Sequence, residues 1–243
     1  MDSFPMGRMG QIIHMNYLTI QKRIGIKESD MTGMDTLEMC EDIEHFRSYP
    51  KSISYRYNSK GFRDNEWPTD LSEVVWCVGD SFTVGIGQPF QETWPQLLQK
   101  KLGKTCLNLG EDGCANDTMA LRAQQIYKLH NPHCISIMWS YLSRRRVNGY
   151  NVAYDKHDFG DAQDLKNFIK NFETVNNLPT VIYNLMIPGE FKDEEFLKSK
   201  YPELLFVKQL DYARDYWHFD VKTSTGVSDW IAQKYNKFDK SSK

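Results

Sequence analysis

An α/β domain built on a parallel sheet is the fold class this sequence predicts, and three observations predict it. Five short apolar runs, Val74–Val78, Thr105–Leu109, Cys134–Trp139, Thr180–Met186 and Leu204–Val207, have the length and make-up of buried strands. Between them lie stretches whose apolar residues recur at helical spacing, so strand and helix alternate along the chain. The 243 residues suffice for one sizeable core, and no Pro/Gly/Ser-rich linker or repeat divides them. A sheet of about five strands is therefore expected over residues 71–243, preceded by an N-terminal extension over residues 1–70.

The extension is rich in Met and charge and shows little periodicity until Tyr55–Arg63. There the alternation, with Asn58 and Gly61 as punctuation, predicts an extended segment and a turn that wraps the domain or forms an edge hairpin. The run Val74–Val78 stops at Gly79-Asp80-Ser81, and more glycine follows at Gly85 and Gly87. A helix is expected over Thr93–Leu102, and the next strand leads into a glycine-bearing loop, Gly110–Asn116. In the helix expected over Asp117–His130, Leu121, Ile126 and Leu129 mark the buried face, and Arg122, Gln125 and Lys128 face solvent. Asn116 or Asp117 caps its start and Asn131-Pro132 ends it. The strand Cys134–Trp139 runs into Ser140–Arg146, and further helices are expected over Ala162–Val175, Asp193–Lys200 and Thr223–Tyr235.

Charge and cysteine usage exclude several classes of function. With 30 basic and 32 acidic residues the net charge is −2, which offers no footprint for nucleic acid or an anionic membrane. No apolar stretch approaches the length of a membrane span, and Met1–Pro5 lacks the basic start and apolar middle of a secretory signal, so a cytoplasmic chain is expected. The five cysteines form an odd set without CxxC spacing, which fits a reducing compartment, and no Cys/His pair has the spacing of a zinc site. Cys114, in the glycine-bearing loop, is expected to pack rather than react. A Walker loop, a complete Gly-x-Gly-x-x-Gly fingerprint and a Gly-x-Ser-x-Gly elbow are all missing, so neither nucleotide, cofactor nor metal is called for.

In open parallel sheets ligands bind beyond the carboxyl ends of the strands. Ser81, the Gly110–Asn116 loop, Ser140–Arg146 and Asp215–His218 all fall in such places. A serine hydroxyl needs a neighbouring base, and an imidazole held in one tautomer by a carboxylate supplies it; Ser81, His218 and Asp215 are the residues for those roles. Singly, each motif also reads as a capped turn or a surface histidine. Arg144 beside Trp139 suits substrate binding, since guanidinium pairs with carboxylate or phosphate and aromatic rings stack on sugars, although Arg144–Arg146 also reads as a solvated basic turn. His130, His133 and His157 stand apart from any partner motif.

Gly79-Asp80-Ser81 behind a strand, its continuation through Gly87 and Glu92-Thr93-Trp94-Pro95, and Asp215-x-x-His218 near the C-terminus resemble the GDSL or SGNH hydrolases. The resemblance covers roughly Val74 to Tyr235. It implies a three-layer, flavodoxin-like α/β/α sandwich and a serine hydrolase that cleaves carboxylic esters through an acyl-enzyme, without metal or cofactor. Ser81 is then the nucleophile, His218 the base and Asp215 its orienter. Oxyanion donors would be the N–H of Ser81 and that of Gly113, or of Gly110 if the loop registers differently. The family's Gly-x-Asn block is missing from Met138–Arg146, which leaves the third donor to Ser140, Asn116 or Asn148. The implied substrate is a small-molecule or carbohydrate ester with a small acyl group, for instance an acetyl on a sugar. Transfer of that group to a carbohydrate hydroxyl, or a carbohydrate-binding domain whose catalysis has lapsed, are the alternatives.

Overall fold

Seven strands and seven α-helices form in a computed structural model that describes residues 16–24, 33–148, 150–152, 161–189 and 193–241. In chain order the strands are β1 Val75–Gly79, β2 Cys106–Gly110, β3 Cys134–Trp139, β4 Arg145–Val147, β5 Tyr150–Val152, β6 Val181–Met186 and β7 Leu205–Phe206. The helices are α1 Ile43–Ser48, α2 Ser81–Val84, α3 Trp94–Leu102, α4 Asn116–His130, α5 Ala162–Asn176, α6 Glu194–Lys200 and α7 Val221–Ser241. His157 lies outside the described residues.

Five strands pair in parallel in the order β2-β1-β3-β6-β7. Every residue of β1, β2 and β3 is buried, which explains their largely apolar runs, broken only by Asn108 and Ser136: helices cover both faces of the sheet. The chain leaves β1 to one side for β2 and then crosses to β3, β6 and β7 on the other. Right-handed crossovers therefore put α3 on one face and α4 and α5 on the other. Helix α7 returns to pack on α3, and α4 packs on α5, completing three layers of flavodoxin-like strand order. The direction of winding reverses between β1 and β3, so the crevice at their carboxyl ends receives the residues that follow Gly79 and Trp139.

Helix α4 buries Ile126 as expected but otherwise turns a shifted face inward. Met119, Ala123, Ile126 and Arg122 point inward, whereas Leu129 is 58% exposed and Leu121 half-buried. Alanines at 120 and 123 let the backbone lie close to the sheet, and Arg122 finds partners there that offset its burial. The helix is preceded by Ala115 as cap residue, because Asn116 is already helical and uses its side chain elsewhere. Helix α5 follows the expected pattern, with a capping box between Asp161 and Asp164 and with Phe168, Phe172 and Val175 buried.

Ser140–Arg146, expected as a strand-end loop, continues into an antiparallel ribbon in which β4 pairs with β5, turning at Asn148 with φ of 50°. Described residues before β1 pack against the domain. Leu18, Ile20 and Phe62 join the main core, and Ile53, Tyr55 and Tyr57 form a second small cluster. Tyr55–Arg63 takes up the turn, with Asn58 N donating to Phe62 O at 2.9 Å and Gly61 N to Asn58 O at 2.8 Å. It does not extend the sheet; Asp64 Oδ2 instead accepts Asn108 N at 2.9 Å along the outer edge of β2.

Candidate active site

Strand β1 delivers Gly79, and Asp80 then caps α2, its Oδ1 accepting Phe82 N at 3.1 Å. Ser81 therefore opens a helical turn at the carboxyl end of the sheet. Asp80 has no exposed surface; its Oδ2 accepts the Ser140 hydroxyl at 2.6 Å and lies 3.4 Å from Arg144 Nη1. Burial pushes the Asp80 pKa up, against the pull of the Arg144 charge.

The imidazole facing Ser81 comes from a tight loop closed by Ala213 N donating to His218 O at 2.8 Å. Asp215 Oδ1 accepts the N–H of Trp217 at 3.1 Å and of His218 at 3.0 Å, which folds the side chain back over the loop. Tyr216 is held with φ of 59°, a left-handed conformation that costs about 1 kcal/mol or more for a residue with a Cβ. His218 Nδ1 donates to Asp215 Oδ2 at 2.5 Å, and Nε2 faces Ser81 Oγ at 2.8 Å. With the proton on Nδ1, Nε2 is an acceptor aimed at the serine hydroxyl. Burial lowers the His218 pKa, but the Asp215 charge and hydrogen bond outweigh it and leave the imidazole raised above 6.5. For Asp215, burial works upward while His218 and the two backbone N–H groups hold the carboxyl below its ordinary value.

Gly113 sits at the tip of a turn in which Cys114 N donates to Glu111 O at 2.9 Å, and its φ of 70° is the left-handed conformation glycine tolerates. Gly110 is less suited to donate to a substrate, because its N–H already bonds Asn108 Oδ1 at 2.9 Å. Ser140 gives its hydroxyl to Asp80. Asn116 Oδ1 accepts Ser140 N at 2.9 Å while Nδ2 donates to Tyr141 O at 2.9 Å, so this amide ties the loop after β2 to the exit of β3. Asn148 is an exposed ribbon turn. Arg144 Nε, at the same end of the sheet, is buried without a hydrogen-bond partner.

Trp139, expected on the substrate, is not brought to the site. It is fully buried, donates Nε1 to Asn184 Oδ1 at 2.9 Å, and packs edge-on against Phe168 with centroids 5.7 Å apart. As the last residue of a central strand it points into the helix layer, where its indole suits the core better than a sugar face. The arginine run separates: Arg144 turns to Asp80, whereas Arg145 pairs with Asp164 at 2.7 Å. Cys114 is buried, and that burial pushes its thiol up to about 12 against the pull of the Arg122 charge. Sequence reasoning missed Asp35 and Tyr55, which brace the loop from the N-terminal side, and Arg63, which braces the turn after Ser81; distant in sequence from their partners, they carry no local signal.

A cavity of about 440 Å³ opens beside the Glu111–Gly113 turn, with Tyr17, Thr118, Arg146, Tyr150 and Asn151 in its walls. Among the described residues no helix is long and apolar enough to cross a membrane, and no three His, Cys, Asp or Glu side chains are grouped to hold a metal ion.

No protein-family model matches the chain, and no curated protein sequence does. Solved structures do. A lipolytic protein of the G-D-S-L family from Desulfitobacterium hafniense DCB-2 is similar over 67% of this chain and 99% of its own, at 14% identity and a TM-score of 0.47. A carbohydrate acetylesterase from Sinorhizobium meliloti is similar over 69% of this chain and 100% of its own, at 12% identity and a TM-score of 0.45. A further G-D-S-L family lipolytic protein, from Veillonella parvula DSM 2008, covers 66% of this chain and 96% of its own, at 16% identity and a TM-score of 0.45.

Proposed function

We propose that this protein is a serine hydrolase of the SGNH type that cleaves carboxylic esters, with Ser81 as nucleophile, His218 as base and Asp215 as its orienter. The observation that carries the reading is the run of contacts Ser81 Oγ–His218 Nε2 at 2.8 Å and His218 Nδ1–Asp215 Oδ2 at 2.5 Å. His218 takes the Oγ proton as Oγ attacks the ester carbonyl, then returns it to the departing alkoxide; water repeats the sequence on the acyl-enzyme. The N–H groups of Ser81 and Gly113 stabilise the oxyanion, each worth roughly 3 kcal/mol, and Arg144 Nε, buried without a partner among the described residues, is a third donor. Ser81 and His218 keep 3% and 2% of their surface, which supports a small acyl group. The cavity beside Gly113 is lined by neither Ser81 nor His218 but adjoins the proposed donor; its size is that of a small-molecule site, and Tyr17, Arg146 and Asn151 in its walls support a polar alcohol such as a sugar.

Hydrolysis of para-nitrophenyl acetate by the wild type and by Ser81→Ala tests the reading. Loss of turnover in the variant supports it, and equal rates in the two defeat it. Tyr17→Ala is expected to raise KM for an acetylated sugar and to leave para-nitrophenyl acetate unaffected; equal effects on both substrates would remove the cavity from the alcohol site.

A further inference from the structure

The loop that carries Asp215 and His218 is held largely from outside the sheet. Asp35, with no exposed surface, accepts Arg214 Nε on Oδ1 at 2.7 Å and Arg214 Nη2 on Oδ2 at 2.8 Å. The Tyr55 hydroxyl donates to Asp35 Oδ2 and accepts Gly87 N at 2.9 Å. Gly87 closes the circuit by accepting Arg214 N on its carbonyl at 2.8 Å. The turn after Ser81 and the segment before Asp215 are thus joined directly at Gly87 and again through Tyr55, Asp35 and Arg214. Arg63 braces the same turn: its guanidinium lies 4.2 Å from the Tyr55 ring centroid and donates to Gly85 O, and to Ser54 O and Gln88 O at 2.9 Å each. From α1 and the residues before it, Glu41 N donates to Asp215 O at 3.2 Å and His45 Nε2 bonds Ala213 O at 2.8 Å.

A buried bidentate pair is weak evidence for stability, since apolar replacements of such pairs are often neutral. Its geometric effect is specific here. The Ala213–His218 loop is closed on itself by Ala213 N to His218 O and by Asp215 Oδ1 on two N–H groups, but it contains a strained Tyr216 and no regular secondary structure, so where it sits against the turn after Ser81 is set by contacts from outside it. A displacement of about 1 Å at such a base is enough to cost on the order of 100-fold in rate.

We propose that Asp35 is a positioning residue: through Arg214 and Tyr55 it fixes the Ala213–His218 loop against the turn that follows Ser81, so the N-terminal segment completes the site. The inference rests on the ester-hydrolase reading above. Full-length Asp35→Asn, Tyr55→Phe, Arg214→Lys and Arg214→Met are compared with Ile231→Ala, a core substitution in α7 that lowers stability away from the site. Each is assayed well below its unfolding temperature, with far-UV circular dichroism confirming the fold.

In Asp35→Asn, kcat for para-nitrophenyl acetate is expected to fall about ten-fold or more with KM within about two-fold, since a displaced base slows the chemical step. Arg214→Lys, which keeps the charge but loses the fork, should fall less than Arg214→Met. The downfield proton resonance of His218 Nδ1–H should broaden in Asp35→Asn and stay sharp in Ile231→Ala. A kcat unchanged in Asp35→Asn, or lowered as much in Ile231→Ala at equal loss of unfolding temperature, overturns the proposal. If the wild type shows no Ser81-dependent turnover, the ester-hydrolase reading fails while the resonance still decides: an unaltered signal in Asp35→Asn overturns the positioning role.

Discussion

Arg144 Nη1 lies 3.4 Å from Asp80 Oδ2, one residue before Ser81, and is the cation that faces this fully buried carboxylate. Breaking such a pair from one side leaves a buried charge uncompensated. Arg144→Met is expected to cost about 2 kcal/mol, less than a fully enclosed pair because the arginine keeps 15% exposure. Asp80→Asn should cost less, since Arg144 can turn outward. The double variant should recover at least about 1 kcal/mol relative to the sum of the single changes. Denaturant unfolding of the four proteins measures this, and strictly additive costs would show that the pair carries no coupling energy.

The pH dependence of turnover follows from the direction in which the His218 pKa moves. In the proposed reaction nucleophilic attack needs the neutral imidazole, and Asp215 favours the charged one, so the acidic limb of kcat/KM should have its midpoint above 6.5. Asp215→Asn should shift that midpoint down and lower kcat about 10,000-fold if the wrong tautomer results. Stability moves oppositely for the two groups. The raised His218 contributes stability that is fully present below about 6.5 and is lost as pH rises through its folded value; the depressed Asp215 contributes stability that is lost as pH falls through its own. A midpoint unchanged by Asp215→Asn would show that the carboxylate does not set the base.

Gly87 and Gly103 allow backbone strain to be separated from contact. Both have positive φ, 74° and 65°, so alanine pays a similar conformational cost at each. A Cβ at 103 meets nothing within 4 Å, whereas one at 87 would stand 2.8 Å from Ala213 Cβ and 3.1 Å from Asp215 Oδ1. Gly103→Ala should therefore lower stability by about 1 kcal/mol with kcat unchanged. Gly87→Ala should add a fall in kcat of roughly 100-fold, as the base-bearing loop is pushed off the turn after Ser81. Steady-state kinetics on the two variants checks this, and similar kcat values would show that the loop absorbs the methyl group without moving.

What was legible in the sequence was whatever depends on local pattern. Buried parallel strands leave mostly apolar runs, and all five stood where expected to within a residue or two at each end. The Gly79-Asp80-Ser81 stop and the Asp215-x-x-His218 spacing were equally visible, because a turn and an i,i+3 pair are local geometries. The three residues read together as a set also lie together in space. Partners distant in sequence left no such trace. Asp35 and Arg214 are unremarkable charges until folding pairs them, and Ser140 reads as an available hydroxyl until Asp80 is found to accept it. Trp139 failed for a related reason: an aromatic residue at a strand end suits a sugar platform or a core equally, and only the α5 phenylalanines decide between them.

Arg122 is the sharpest departure from the expected pattern and supports the last prediction. Periodicity placed it in solvent, yet it is 1% exposed, with Nη2 2.7 Å from Glu111 Oε2, Nη1 donating to Leu109 O at 3.0 Å and Nε to Tyr17 O at 2.7 Å. The guanidinium thus satisfies a carboxylate and two carbonyls from two parts of the chain, the Leu109–Glu111 stretch and the segment before residue 24. Arg122→Ala would strip all three at once and leave Glu111, only 15% exposed, beside an empty space. A loss of about 3 kcal/mol is expected, or a fall in unfolding temperature of roughly 6–12 °C for a chain of this size. Arg122→Met with Glu111→Gln fills the space and removes the stranded charge, so it should recover much of that loss. Thermal unfolding of the two proteins distinguishes the cases: equal destabilisation in both would mean that the carbonyls of Leu109 and Tyr17, rather than the Glu111 charge, account for the cost of losing Arg122.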